Sequence, residues 1–337
     1  MKLGLHIGYW GLGLTAQQQL ELVLEAERLG YDSVWTAEAY GSDAATILAW
    51  LAQATSTIKL GSAIFQMPGR SAAMTAMTAA TIDHLSGGRL ILGLGVSGPQ
   101  VVEGWYGQPF EKPMARTREF VTLVREMLRR EGPVRFAGKH YRLPYDGAGS
   151  TGLGKPLKLI MRPRRSEVPI YMGAEGPKNV ALAAEIADGW LPIFYSPFRS
   201  PALYAESLEN AKPGFDVACM AQVHVSDDVA SALVPVKWML GFYIGGMGAE
   251  QKNFHLNLIA RMGFENEAME VQKLFREGKR AEAAAAVPDA LADEISLVGP
   301  RERIRDRLDA WKESPVRSIL LATRDPAALR TMAELAL

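Results

Sequence analysis

Short apolar segments alternate with amphipathic helical segments through the first hundred residues, and this alternation constrains the fold more than any other feature of the sequence. The four predicted strands are residues 3–7, 33–36, 58–64 and 90–94. Each is followed by a segment with helical periodicity, so that one strand and one helix recur about every 30 residues. A tandem of such units predicts a parallel sheet with right-handed crossovers.

The second half of the chain continues the alternation. It contains four more predicted strands, at residues 169–172, 189–192, 215–224 and 318–321. Eight strands favour an α/β fold of the (β/α)₈ TIM-barrel type, with an open doubly wound sheet as the alternative. We expect one domain over residues 1–337, with insertions at about 132–168, after strand 4, and about 241–298, after strand 7. Long excursions of this kind are commonly functional.

Composition and charge exclude several classes of function. Lys and Arg number 37, as do Asp and Glu, and no basic face stands out, so we predict no nucleic-acid partner. The longest weakly polar stretch, residues 238–249, is shorter than the roughly 20 residues that span a bilayer, and we predict no membrane partner. The single cysteine, Cys219, indicates a reducing compartment, and the first residues do not resemble a signal peptide. These features predict a cytoplasmic protein.

Functional residues of a parallel barrel lie at the carboxyl ends of its strands. His6 lies near the end of the first predicted strand and Glu38 follows the second. These two side chains on adjacent strands are our candidates for catalytic proton exchange, although a histidine here is also compatible with a structural role in the core. The five histidines share no metal-binding spacing, so we predict no metal site.

Two glycine-rich turns follow predicted strands, at residues 93–99 and 173–177. The second opens a helix whose free N–H groups are suited to a phosphate, although ordinary strand–helix turns are also rich in glycine. The small apolar strand ends are suited to a large planar cofactor, which needs backbone contacts and an apolar wall more than charged catalysts.

Five segments of the chain, taken together with their order and spacing, resemble one known family. They are residues 26–35, 60–64, 81–95, 173–174 and 187–190. The sequence resembles the luciferase-like flavin and deazaflavin oxidoreductases, most closely the F420-dependent branch that includes methylenetetrahydromethanopterin reductase. The resemblance implies a (β/α)₈ barrel that binds coenzyme F420, with FMN as the alternative cofactor.

The resemblance also implies site residues and an assembly. It implies a non-prolyl cis peptide bond between Ala63 and Ile64, against the deazaflavin ring. The implied cofactor-binding residues are Glu38, Ser62, Ala63, Ile64, Gln66, Ser97, Gly98, Gly173, Ala174, Gly176, Pro177 and Lys178. A homodimer or homotetramer would form through the second and third helices, where residues 72–77 offer an Ala- and Met-rich face, although packing into the core explains this face equally well.

The family resemblance leads to a functional hypothesis. We expect an oxidoreductase that moves a hydride between C5 of F420 and a small organic substrate. Ala39 and Pro99 stand where relatives that oxidise glucose 6-phosphate carry His and Glu, which argues against a sugar-phosphate substrate. The alternatives are an FMN-dependent monooxygenase and a non-catalytic flavin-binding protein.

Overall fold

Eight parallel strands close into a barrel in the structure, a computed structural model that describes residues 1–11, 13–249 and 252–337. In chain order the strands are β1 Lys2–Gly8, β2 Ser33–Thr36, β3 Lys59–Ser62, β4 Phe65–Gln66, β5 Leu90–Gly95, β6 Phe136–Ala137, β7 Arg142–Leu143, β8 Ile170–Gly173, β9 Gly189–Leu191, β10 Asp216–Val225, β11 Ser296–Gly299 and β12 Val316–Ala322. The barrel runs β1-β2-β3-β5-β8-β9-β10-β12 and closes by pairing β12 with β1. The predicted TIM barrel is confirmed.

Helices surround the barrel. They are α1 Ala16–Arg28, α2 Ala44–Ala54, α3 Ala72–Leu85, α4 Pro99–Gly104, α5 Pro113–Arg129, α6 Pro177–Ile186, α7 Ser200–Leu208, α8 Val229–Gly246, α9 Phe254–Ile259, α10 Glu265–Arg276, α11 Arg280–Ala285, α12 Asp289–Glu294, α13 Arg301–Glu313 and α14 Pro326–Ala336. A 3₁₀ turn covers Met67–Gly69 and a π-helical segment covers Ala260–Phe264. Side-chain caps such as Thr15 at α1 and Asp43 at α2 satisfy free N–H groups where these helices begin.

The predicted third strand, residues 58–64, is wrong in extent. Only residues 59–62 form a strand, β3, and β4 begins beyond the predicted range. The bond between Ala63 and Ile64, which separate the two strands, is cis, and this confirms the expectation from the family resemblance. Two further elements were not predicted. β11 pairs with the end of β10, and the short antiparallel pair β6–β7 lies within the first expected insertion.

Large side chains fill the barrel interior beneath the carboxyl ends of the strands. Trp35 and Tyr171 lie there with ring centroids 5.6 Å apart. Gly61 makes room for the indole, because a Cβ at this position would lie 2.1 Å from a ring atom of Trp35. Ala63 and Ile64 pack on top of this cluster. The interior is therefore solid, and open space begins above Ala63 and Ile64.

The segment between β10 and β12 covers one side of the barrel. It contains α8 to α13 and β11, and position 241, our expected insertion boundary, falls inside α8. By length and composition alone α8 is apolar enough to cross a membrane. In this structure it packs against α10, α11 and α12. The division of the chain into one domain with two insertions stays a prediction.

Candidate active site

A cavity of about 1010 Å³ opens at the carboxyl ends of the barrel strands. This volume matches the upper end of typical ligand pockets and can hold a cofactor together with a small substrate. Ten of the residues we singled out line it: His6, Glu38, Ala63, Ile64, Gln66, Ser97, Gly98, Gly173, Ala174 and Gly176. Strand ends far apart in sequence therefore meet at one site.

Three of the expected cofactor-binding residues do not line this cavity. The Ser62 hydroxyl is fully buried, donates to the Gly93 carbonyl oxygen at 2.9 Å and accepts from the Gly93 N–H at the same distance. It therefore joins β3 to β5. Pro177 is the first residue of α6, and the side chain of Lys178 is exposed. A direct contact between these residues and a cofactor stays a prediction.

His6 faces the cavity from β1 as a neutral imidazole. The N–H of Gly8 donates to its Nδ1 at 3.2 Å, which leaves the proton on Nε2. Burial lowers the pKa of His6 to about 4. At neutral pH this side chain can donate a hydrogen bond from Nε2 to a ligand, but it does not carry a positive charge. Its catalytic role stays a prediction.

Glu38 lines the cavity, but its carboxylate accepts hydrogen bonds from neighbouring residues. Arg70 donates to it from Nη2 at 2.9 Å and from Nε at 3.3 Å, and both side chains are mostly buried. The N–H groups of Ala44 and Gln66 donate to the same carboxylate at 3.1 and 3.2 Å. Glu38 therefore joins α2, β4 and the 3₁₀ turn after it. These contacts favour a positioning role over proton transfer, and the catalytic assignment stays a prediction.

Arg70 was not among the residues selected by sequence analysis. Its guanidinium also binds Asp43 at 2.7 Å and lies 4.4 Å from the centre of the Phe65 ring. Its partners Glu38 and Asp43 are about 30 residues away in the chain. Their pairing depends on how strands are placed in the barrel, which local sequence patterns do not reveal.

Side chains donate hydrogen bonds to two carbonyl oxygens of the turn between β8 and α6, residues 173–176. Trp190 Nε1 donates to the Ala174 carbonyl at 2.8 Å. The Tyr204 hydroxyl and Arg261 Nη2 donate to the Glu175 carbonyl at 2.6 and 3.1 Å.

The N–H groups of the same turn are unpaired. No acceptor among residues 1–11, 13–249 and 252–337 takes the N–H of Glu175, Gly176 or Lys178, and α6 begins without a side-chain cap. Unpaired N–H groups at a helix start attract anions. The turn can therefore accept a phosphate at the cavity wall, as the spacing of its glycines indicated.

The segment between β10 and β12 supplies a wall of the cavity that sequence analysis missed. Tyr243 of α8 and His255 of α9 both line the cavity. The Tyr243 hydroxyl is hydrogen-bonded to that of Tyr9, and burial raises the pKa of Tyr243. His255 Nδ1 lies 2.6 Å from Glu175 Oε1, so this segment also meets the turn. The only sequence signal was that a long excursion is commonly functional.

In the part of the chain that the structure describes, no group of three or more His, Cys, Asp or Glu side chains is arranged to hold a metal ion. Fold and site together define a barrel protein with a large cavity and an anion-accepting turn.

Comparison with known proteins identifies the family. The sequence model of the protein family described as luciferase-like monooxygenase matches residues 6–318, and the chain belongs to this family. A protein of Mycobacterium tuberculosis named as a coenzyme F420-dependent oxidoreductase is 51% identical, over 99% of both chains. The 5,10-methylenetetrahydromethanopterin reductase of Archaeoglobus fulgidus is 28% identical, over 88% of this chain and 86% of that protein. The predicted resemblance is confirmed, and the protein is an enzyme of the oxidoreductase class.

A solved structure shows the same fold. The coenzyme F420-dependent tetrahydromethanopterin reductase of Methanopyrus kandleri superimposes with a TM-score of 0.81 at 22% identity. The match covers 99% of this chain and 97% of that chain. The fold is therefore shared over nearly the whole length of both chains.

Proposed function

We propose that this protein binds coenzyme F420 in the barrel cavity and transfers a hydride between C5 of the deazaflavin and a small organic substrate. The proposal rests on one observation: the same cavity contains an apolar floor, formed by Ala63 and Ile64, and a turn with unpaired N–H groups. The relative from Mycobacterium tuberculosis, which shares half of its residues with this chain, supports the choice of cofactor.

Residues of this chain fit the parts of such a cofactor. The Ala63 and Ile64 side chains would contact one face of the ring, since they form the cavity floor above the packed interior. The turn at residues 173–176 would hold the phosphate of the tail through its unpaired N–H groups. F420, when bound, supplies C5 as the hydride donor or acceptor. His6 would donate a hydrogen bond from Nε2 to the ring or the substrate.

The rest of the cavity would hold the substrate. Its wall on the α8 side is apolar and includes Met239, Phe242 and Tyr243. Such a wall excludes water from the reacting atoms and favours a substrate with an apolar body. The open space above the floor also argues against a non-catalytic flavin-binding protein.

Titration of the purified protein with F420 and, separately, FMN tests the proposal. We expect F420 to bind with a dissociation constant of about 1 μM or tighter, measured by its fluorescence, and FMN to bind at least tenfold more weakly. Preferential binding of FMN would overturn the proposal and move the protein to the FMN-dependent monooxygenases, where oxygen consumption is the next assay.

We also propose that the protein is cytoplasmic and forms a homodimer or homotetramer through α2 and α3. Met74 and Met77 lie three residues apart on α3 and are 52% and 51% exposed, so together they present an apolar patch that a partner would cover. Light scattering should give the mass of a dimer or tetramer, and the double variant M74E/M77E should be a monomer. M269E, at a methionine of α10 that is 49% exposed, is the matched control. A monomeric unmodified protein would contradict this assembly.

A further inference from the structure

One carboxylate lies inside the turn that accepts an anion. Glu175 stands between Ala174 and Gly176 and lines the cavity with them. Its Oε1 lies 2.6 Å from Nδ1 of His255, and the two side chains are only 14% and 16% exposed. Its Oε2 is buried and has no hydrogen-bond partner, and the short contact at Oε1 lacks hydrogen-bond geometry, since His255 Nδ1 is also buried without a hydrogen-bond partner. A negative charge is therefore fixed close to where a phosphate would bind.

Cations are sparse on the same side of the cavity. Lys178 is exposed and does not line it, and Arg261 reaches the turn from the carbonyl side. Among the described residues of the lining, the single lysine or arginine is Arg324, which follows β12, three strands round the barrel from β8. The turn therefore offers N–H groups and the Asn179 side chain, and no cationic side chain, to balance Glu175.

The consequence depends on the charge of the phosphate. A phosphate monoester, as in FMN, carries a charge of about −1.5 to −2 at pH 7. The phosphate in F420 is a diester, because the lactyl-glutamate tail is attached to it, and it carries one negative charge. Repulsion by a fixed carboxylate is proportional to the ligand charge, so it is about twice as large for the monoester. Sites for dianionic phosphates usually add arginine or lysine to the backbone N–H groups.

We propose that Glu175 is a specificity-determining residue, which selects a phosphodiester cofactor over a phosphomonoester flavin. This inference rests on the proposed function for the identity of the cofactor. The imidazole of His255 lies against the carboxylate and limits the repulsion, so that a phosphate with a single negative charge is tolerated next to the turn. The segment between β10 and β12, which carries His255, thereby takes part in the choice of cofactor.

The test is a set of fluorescence titrations of the apoprotein. The ligands are FMN and F420, each compared with its phosphate-free analogue: riboflavin for FMN, and 8-hydroxy-5-deazariboflavin, which also lacks the tail, for F420. The variants are Glu175→Gln and, as a matched control, Asp325→Asn, which removes one carboxylate from another part of the lining and keeps an N-cap residue at α14.

We expect Glu175→Gln to tighten FMN binding about tenfold and F420 binding about threefold, since the two free energies should differ by a factor of about two. Binding of the phosphate-free analogues should not change. Asp325→Asn should change FMN binding by less than half as much in free energy as Glu175→Gln does. His255→Leu should weaken FMN binding, because it removes the imidazole that lies against the carboxylate and offers no N–H donor in its place, and it tests the inference independently if Glu175→Gln does not fold.

Several results would overturn the inference. They are unchanged FMN affinity in Glu175→Gln, equal shifts for FMN and riboflavin, and equal effects of Glu175→Gln and Asp325→Asn. Failure of the unmodified protein to bind F420 is a different result, since it would overturn the proposed function. The comparison of FMN with riboflavin would still measure the effect of Glu175 in that case.

Discussion

Replacing Arg70 by methionine is expected to lower the free energy of unfolding by about 3–5 kcal/mol, because it removes one partner of a buried ion pair. Methionine retains much of the apolar stem but cannot compensate the Glu38 carboxylate, which is only 8% exposed. The bond to Asp43 and the contact with the Phe65 ring are lost at the same time. Urea denaturation at pH 7, followed by circular dichroism, measures the change.

A matched control shows how much of the expected loss of stability depends on burial of the ion pair. Arg129 forms an ion pair with Glu167 in which both side chains are about half exposed, so Arg129→Met should have a much smaller effect. The double variant E38Q/R70M should regain part of the stability that Arg70→Met loses, because the buried charge is then absent as well. A loss below about 1 kcal/mol for Arg70→Met would show that the pair does not join the strand ends as described.

Gly93→Ala is expected to lower the free energy of unfolding by about 3 kcal/mol or more, at the upper end of overpacking effects. A Cβ at Gly93 would lie 1.8 Å from the backbone oxygen of Ser62 and 3.0 Å from Leu191 Cδ1. Since the obstacle is backbone, β5 and β3 must move apart, and both hydrogen bonds of the Ser62 hydroxyl to Gly93 would be strained. Thermal unfolding and F420 titration should both report the damage.

Gly104→Ala provides the comparison for the added methyl group. Gly104 is exposed at the end of α4, and a Cβ there meets no heavy atom within 4 Å. We expect this variant to keep the stability and the cofactor affinity of the unmodified protein. If Gly93→Ala behaves in the same way, the close approach of β3 and β5 does not exist in solution.

The barrel could be predicted because its information is local. Residues 33–36 form β2 as expected, and the strands predicted at residues 3–7 and 318–321 differ from β1 and β12 by one or two residues at each end. Apolar strands, helix caps and glycine turns each act over a few neighbouring residues. The interruption at Ala63 and Ile64 was reached only through the family resemblance, since the apolar pattern continues across it.

The site was less predictable because its contacts connect distant residues. Glu38 was selected for its position after a strand, but the arginine that holds it lies 32 residues away. Glu175 and His255 are 80 residues apart in the chain and meet only when the segment between β10 and β12 folds over the barrel. Conversely, closeness in sequence does not guarantee a place in the site: Lys178 lies next to the turn in sequence but does not line the cavity.

The anchoring of the Glu175 carbonyl couples two parts of the molecule. Tyr204 of α7 and Arg261 of the π-helical segment both donate to this oxygen. Ordering of the turn and docking of the segment between β10 and β12 therefore stabilise each other, and thermodynamic linkage makes the effect reciprocal. A ligand that immobilises the turn also stabilises the docked position of the segment between β10 and β12. Undocking of that segment would in turn lower the affinity of the turn for the ligand.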